Sequence, residues 1–226
     1  MNLRAANALV VLARFPEAGR VKTRLAAAIG SEGAAVMYRA FLQDIRNRFD
    51  GDRSWILWWA FEPAESSFAA EIAGSNRVFP QPDGSLGTRM AGAIESLLAR
   101  GYRNVALVGS DIPHLPLEAV DEAFVRLGRG ADLVLGPAED GGYYLIGARS
   151  LPPVFSGITW GGRSVLDETI ERARTAGIEP ELLPPLYDID GPGDLERLRQ
   201  EIRAGRVSGL DATKAALETV STVGYK

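Results

Sequence analysis

Ala8–Leu25 reads ALVVLARFPEAGRVKTRL, and the way this stretch changes character decides the fold. An apolar run from Ala8 to Ala13 stops at a loop carrying Arg14, Pro16, Gly19, Arg20, Lys22, Thr23 and Arg24, and a helix-compatible segment follows. A buried strand that feeds a glycine-containing cationic loop and then a helix is the outline of a polyphosphate site. Backbone N–H groups and the helix N-terminus face the anion, and Lys and Arg side chains close over it. A solvated basic turn reads the same way in isolation, so the decision rests on what lies downstream.

Downstream, the same alternation repeats. Apolar β-rich runs predict strands at Ala8–Ala13, Ser54–Ala60, Arg77–Phe79, Asn104–Gly109, Asp132–Gly136 and Tyr143–Ala148, with a short one near Glu181–Leu183. Between them run helical stripes, among them Met37, Tyr38, Phe41, Leu42, Ile45 and Phe49. Another stripe, Leu117 to Leu127, opens at Pro116 and stops at Gly128, and the Leu195–Ile202 stripe opens at Pro192 and ends by Gly205. Strand–helix alternation implies an α/β fold with a mostly parallel, doubly wound sheet and helices on both faces. The run after Gly141-Gly142 follows its predecessor closely enough to be antiparallel. No linker or repeat interrupts the pattern. It therefore predicts a single domain over 1–226, with a core of about 8–204 and a tail, 205–226, that forms a short helix with a frayed end.

Composition narrows the chemistry. The chain has 226 residues, a net charge of −4, no cysteine and one histidine, His114. Thiolate metal sites, Cys nucleophiles, His-rich zinc sites and Ser-His-Asp triads are excluded. The acidic balance argues against nucleic acid as a partner, so any anion site is a local concentration of cations. The N-terminal apolar run is too short for a signal peptide or membrane span, and the expected location is cytoplasmic. Oligomeric state stays open. His114, between Pro113 and Pro116, reads as structural, as do Trp55, Trp58 and Trp59 on or beside a strand.

Ligands of open α/β sheets bind beyond the carboxyl ends of the strands, and three acidic segments fall there. Asp111 follows directly on Asn104–Gly109, five residues too early to cap the next helix. Glu139, Asp140, Gly141 and Gly142 suit a hairpin turn, in which Asp140 could also face a substrate. Asp188 and Asp190 share a face if their segment is extended, and the helix from Pro192 offers Asp190 or Gly191 as its cap. Carboxylates at two strand ends, in a chain with a basic loop, suit Mg²⁺, which uses one or two carboxylates and completes its shell with water and phosphate.

FPEAGRVKTRL, QPDGSLGTRM, VGSDIPHL, GPAEDGGYYLIG, ITWGGRSVL and YDIDGPGDLERL occur here in the order found in a bacterial family of glycosyltransferase-like proteins. The chain resembles the selenodomain-associated or arsenosugar-biosynthesis transferases of the nucleotide-diphospho-sugar transferase (GT-A type) superfamily, from about Val10 to Leu198. The resemblance implies a Rossmann-like GT-A fold, a nucleotide or nucleotide sugar at the first loop, a small-molecule acceptor, and Mg²⁺ or Mn²⁺ on strand-end aspartates. It assigns Arg14, Gly19, Lys22 and Arg24 to the nucleotide phosphates and Gln81, Gly87 and Arg89 to base or ribose. Asp111 with Asp188 or Asp190 would hold metal. Glu139, Asp140, Gly141, Gly142 and Tyr143 match an acceptor-side signature, and Trp160, like Tyr143, could stack on a sugar or base. Two departures stand out. Gly162 occupies the family's usual Thr position, and Gly191 and Gly193 stand where relatives tend to carry Thr and Glu. The second predicts a last helix less well pinned by roughly a kcal/mol.

The expected activity is metal-dependent glycosyl transfer, with Lys22, Arg24 and the metal offsetting charge on the departing diphosphate and Asp140 or Glu139 as base. Nucleotidyl transfer from a triphosphate to a phosphorylated acceptor is the alternative, since AGRVKTRL is also similar to the loop of guanylyltransferases acting on phospholactate. A nucleotide-binding protein without catalysis is a third reading.

Overall fold

The computed structural model describes residues 6–63, 67–74 and 77–223. The N-terminal Met1–Ala5 and the expected frayed end at Gly224–Lys226 lie outside them. Strand β1 (Asn7–Arg14) is the apolar run that ends at the basic loop, and it lies near the middle of a seven-stranded sheet. The others are β2 (Ile56–Glu62), β3 (Val78–Pro80), β4 (Asn104–Gly109), β5 (Leu133–Pro137), β6 (Tyr143–Ala148) and β7 (Glu181–Leu182). Their order is β3-β2-β1-β4-β6-β5-β7, and only β6 runs antiparallel to its neighbours, β4 and β5. The α/β class, the mostly parallel sheet and the antiparallel strand all follow the sequence expectation.

Period-two alternation makes β1 apolar on both faces. Leu9, Val11 and Ala13 point to one layer of helices, α1 (Thr23–Phe49), α3 (Leu117–Arg129), α5 (Pro192–Arg203) and α6 (Asp211–Val223). Ala8 and Val10 point to the other, α2 (Leu86–Ala99) and α4 (Val165–Thr175). The Met37–Phe49 stripe fills the first layer, and Met90, Ala93, Ile94 and Leu97 fill the second. Each fully buried Leu, Ile or Phe in these layers is worth about 1.5–3 kcal/mol. Trp55 and Trp59 are buried in the core, and Trp58 packs on Phe79 and Tyr102.

Three local expectations change. Helix α3 runs through Gly128 and stops when Gly130 takes the left-handed cap. Helix α1 starts earlier than its stripe and is interrupted at Gly30 (φ 75°, ψ 161°), a conformation that disfavours a side chain. In α5 half of the expected loss is made good: Asp194, at its third position, accepts the backbone N–H groups of Gly191 (2.8 Å) and Asp190 (3.1 Å), while Gly191 offers no side chain to the helix's own first N–H groups. The terminal helix α6 buries Ala216, Leu217 and Val220 in the first layer. The buried carboxylate of Asp44, on α1, accepts the N–H groups of Ala212 and Thr213 at its start. Among the described residues no helix is long and apolar enough to cross a membrane.

Candidate active site

β1 pairs with β4 only as far as Leu12–Gly109 but with β2 as far as Arg14–Glu62. A crevice therefore opens beyond the carboxyl ends of β1 and β4, where the chain's crossovers switch sides and α/β sheets bind ligands. Side chains complete the interrupted ladders. The Arg14 N–H, facing the space that β4 has left, donates to the Tyr38 hydroxyl at 3.1 Å. The Gln81 amide donates to the Ala13 and Ala60 carbonyls at 2.8 and 2.9 Å. Tyr38 in turn lies 2.7 Å from Ser110 Oγ, joining the first loop to the residue before Asp111. Burial, and then the charge of Asp111, raise the Tyr38 phenol well above its ordinary pKa, so it keeps its proton.

The crevice widens into a cavity of about 690 Å³. Lys22 lines it. It is the residue before α1 and the sole non-glycine with positive φ (47°) among the described residues, a strained geometry that aims its side chain inward. Its ammonium lies 2.7 Å from Asp111 Oδ1 and 3.1 Å from Asp190 Oδ1, and donates to the Ile189 carbonyl at 2.6 Å. Two hydrogen bonds and the Asp111 ion pair offset the burial of a side chain only 5% exposed. Arg24 adds a 3.3 Å contact to Asp190.

Alternation places the late aspartates as expected: Tyr187 and Ile189 are buried, while Asp188 and Asp190 line the cavity. Burial, with the neighbouring charges of Asp190 and Asp140, pushes the Asp188 carboxyl up to about 6. Asp140 lines the cavity too, and its Oδ1 accepts the Gly142 N–H at 2.8 Å, so one carboxylate both closes the turn and faces the cavity. Tyr143 and Trp160 form part of the wall, with the Tyr143 hydroxyl on Met90 Sδ at 3.9 Å. Arg14 and Arg89 line it on the β3 side, both paired with Glu62, whose carboxyl is held below its usual range chiefly by the Arg89 hydrogen bond.

Several expected site residues do other work. Glu139 points away from the cavity, its carboxylate gripped by both terminal nitrogens of Arg197 at 2.7 and 3.1 Å. Gly87 is buried, and a Cβ there would fall 2.5 Å from the Trp160 ring and 2.6 Å from the Phe155 carbonyl. The absence of a side chain there lets the Trp160 loop close on α2. Gly141 similarly backs onto the Arg163 carbonyl and Gly19 is exposed outside the cavity, whereas Gln81 lines the cavity with its amide nitrogen committed to the strand ends. Tyr38, Ser110 and Glu62 were not anticipated. Tyr38 was hidden in an apolar helix stripe.

Charge therefore divides across the sheet's carboxyl edge. Arg89 and Arg14 lie towards β3, β2 and β1, whereas Asp111, Asp140, Asp188 and Asp190 lie towards β4, β6, β5 and β7, with Lys22 at the boundary. No group of three or more possible metal-ligating side chains converges among the described residues. The pair Asp111 and Asp190, already sharing one cation in Lys22, fits the two-carboxylate donor set of a divalent ion that takes its remaining oxygens from phosphate and water.

Residues 47–162 match a family model described as uncharacterised proteins conserved in bacteria (DUF2064). A solved protein from Desulfovibrio desulfuricans G20, provisionally described as a nucleotide-diphospho-sugar transferase, is 33% identical. The match covers 96% of this chain and 98% of that one, with a TM-score of 0.86. The fold is shared more distantly with a 4-diphosphocytidyl-2C-methyl-D-erythritol synthase (14% identity, 87% of this chain and 98% of that one, TM-score 0.53). It is shared also with a cytidylyltransferase from Leptospira borgpetersenii serovar Hardjo-bovis (15% identity, 96% and 94% coverage, TM-score 0.50). No curated protein matches the chain.

Proposed function

Because the chain belongs to the DUF2064 family, and with it to the nucleotide-diphospho-sugar transferase superfamily, we propose that it transfers a glycosyl group from a nucleotide sugar to a small acceptor hydroxyl. The observation that carries this reading is the division of charge about Lys22. The cations suit a diphosphate, and the carboxylates beyond them would repel a phosphorylated acceptor and tolerate a neutral one.

In this reading Lys22, Arg24 and Arg14 hold the donor's phosphates, and Arg89 lies beside them. Asp140 is the base. Its Oδ1 is engaged by the Gly142 N–H, which leaves Oδ2 for the acceptor's proton. The acceptor oxygen bonds to the anomeric carbon, the bond from that carbon to the diphosphate oxygen breaks, and a nucleoside diphosphate leaves. Trp160 and Tyr143 offer ring faces to the sugar. Asp111 and Asp190, with Asp188 beside them, would hold Mg²⁺ or Mn²⁺, which when bound offsets the charge developing on the leaving diphosphate. Lys22 must then release those carboxylates and turn its ammonium to the phosphates.

Nucleotidyl transfer competes because the same loop cations suit a triphosphate. Incubation with a panel of nucleoside triphosphates and nucleotide sugars separates the two. Sugar transfer without pyrophosphate release is expected, and pyrophosphate released from a triphosphate overturns the glycosyl reading. Within it, Asp111→Ala should lower turnover at least about 100-fold. Wild-type turnover in that variant would remove Asp111 from the mechanism.

A further inference from the structure

We infer that Ser110 donates its hydroxyl hydrogen to a phosphate oxygen of the bound nucleotide, and that Tyr38 is the positioning residue that aims it. The inference rests on the reading above, in which the cavity receives the nucleotide's phosphates.

Hydrogen accounting at the crevice leads to it. A tyrosine hydroxyl has one hydrogen to give and lone pairs to receive. The Tyr38 oxygen already receives the Arg14 N–H at 3.1 Å. Its own hydrogen is buried with a ring only 3% exposed, and Ser110 Oγ, 2.7 Å away, is its acceptor. Both hydroxyls border the cavity, but a phenol is the stronger hydrogen-bond donor and an aliphatic hydroxyl the stronger acceptor, so the Tyr38 hydrogen takes the shared position. Tyr38 therefore donates, and the Ser110 hydrogen is released for something else. Among the described residues no protein atom receives it.

Ser110 lines the cavity while remaining only 6% exposed. It directly precedes Asp111, whose carboxylate lies 2.7 Å from the Lys22 ammonium. A hydroxyl donor oriented by Tyr38, lining the cavity next to the carboxylate that pairs with the Lys22 ammonium, is suited to an oxygen of an anion drawn in by that lysine. Tyr38 thereby does two things at once. It terminates the β1 ladder at Arg14 and, through that same oxygen, sets the direction of the Ser110 hydrogen relative to the loop that carries Lys22. The loop after β1 and the loop after β4 are held in register by one side chain from α1.

Inorganic pyrophosphate with Mg²⁺, followed by titration calorimetry, is the probe, since a diphosphate is common to both candidate donors. Ser110→Ala should weaken binding about tenfold, and Ser110→Thr, which keeps the hydroxyl, should restore most of it. Tyr38→Phe should weaken binding several-fold in the wild-type background and not at all in Ser110→Ala, since its effect passes through Ser110. Wild-type affinity in Ser110→Ala overturns the inference. So does a Tyr38→Phe penalty of equal size in both backgrounds. A fall in melting temperature without a change in affinity would give Tyr38 a structural role only, and that too overturns it. If the wild-type protein binds neither pyrophosphate nor any nucleoside diphosphate, the proposed function fails as well. If it binds them and the variants bind equally, this inference fails alone.

Discussion

His114 sits in the loop after Asp111 with its ring 4.3 Å from that of Tyr187, which also carries the Arg197 guanidinium over its ring at 3.7 Å. Burial holds the His114 pKa down at about 4. The unfolded chain, with an ordinary histidine near 6.5, takes up a proton that the native state refuses. Stability is therefore full above pH 6.5 and falls as the pH drops towards 4, by up to about 3 kcal/mol from this group. Urea unfolding at pH 5 and 7.5 should show this loss, and His114→Phe should remove most of it while keeping the fold. At Gly87 the expected effect is steric: Gly87→Ala pushes a methyl into the Trp160 ring, costs about 1–3 kcal/mol, and should shift the Trp160 contribution to fluorescence. Unchanged emission and stability would contradict that packing. At this scale the sequence was only half legible. Asp111, Asp188 and Asp190 could be placed because strand ends and alternation fix direction. Glu139 and Asp140 are neighbours in a turn, where direction depends on φ and ψ, and one faces Arg197 while the other faces the cavity.

Asp44 links helices that are far apart in sequence, its two oxygens accepting from Ala212 at 3.0 Å and Thr213 at 2.8 Å. Asp44→Ala leaves the first N–H groups of α6 without partners in a buried place, a cost of about 2 kcal/mol. Hydrogen exchange in α6 should accelerate first, and uniform acceleration across the sheet would argue against a local cap. Asp194→Ala should cost about 1 kcal/mol at the start of α5, and because Asp194 also holds the Asp190 N–H it should weaken pyrophosphate binding as well. The strands were readable because parallel strands buried on both faces are apolar runs. Helix ends were less so: Gly128 and Gly130 are both plausible stops, and it is Gly130 that takes the left-handed backbone and donates to the Arg126 and Leu127 carbonyls. In the sequence Asp194 shows only as an acid at the third helical position, and nothing there tells that its carboxylate turns back to the Asp190 and Gly191 N–H groups.

At the scale of the whole molecule the net charge is −4, yet the cavity gathers Arg14, Arg20, Lys22, Arg24 and Arg89. Long-range repulsion and local attraction respond differently to salt. Raising NaCl from about 0.05 to 0.5 M shortens the screening length from over 10 Å to roughly 4 Å. Pyrophosphate affinity should then fall several-fold while the urea midpoint changes little, and affinity independent of salt would argue against a cationic phosphate site. The α/β class was legible from alternation alone, but the division of charge was not, because it depends on β4, β6, β5 and β7 lying on one side of β1. Gly30 has a consequence for how such a chain can diversify. A residue inserted in an unbroken helix turns everything beyond it by about 100°, which would swing Met37, Phe41 and Ile45 out of the interior. The left-handed glycine resets the helical phase between the segment at Thr23 and that stripe. Insertions and deletions ahead of it can remodel the ligand loop while the core keeps its register.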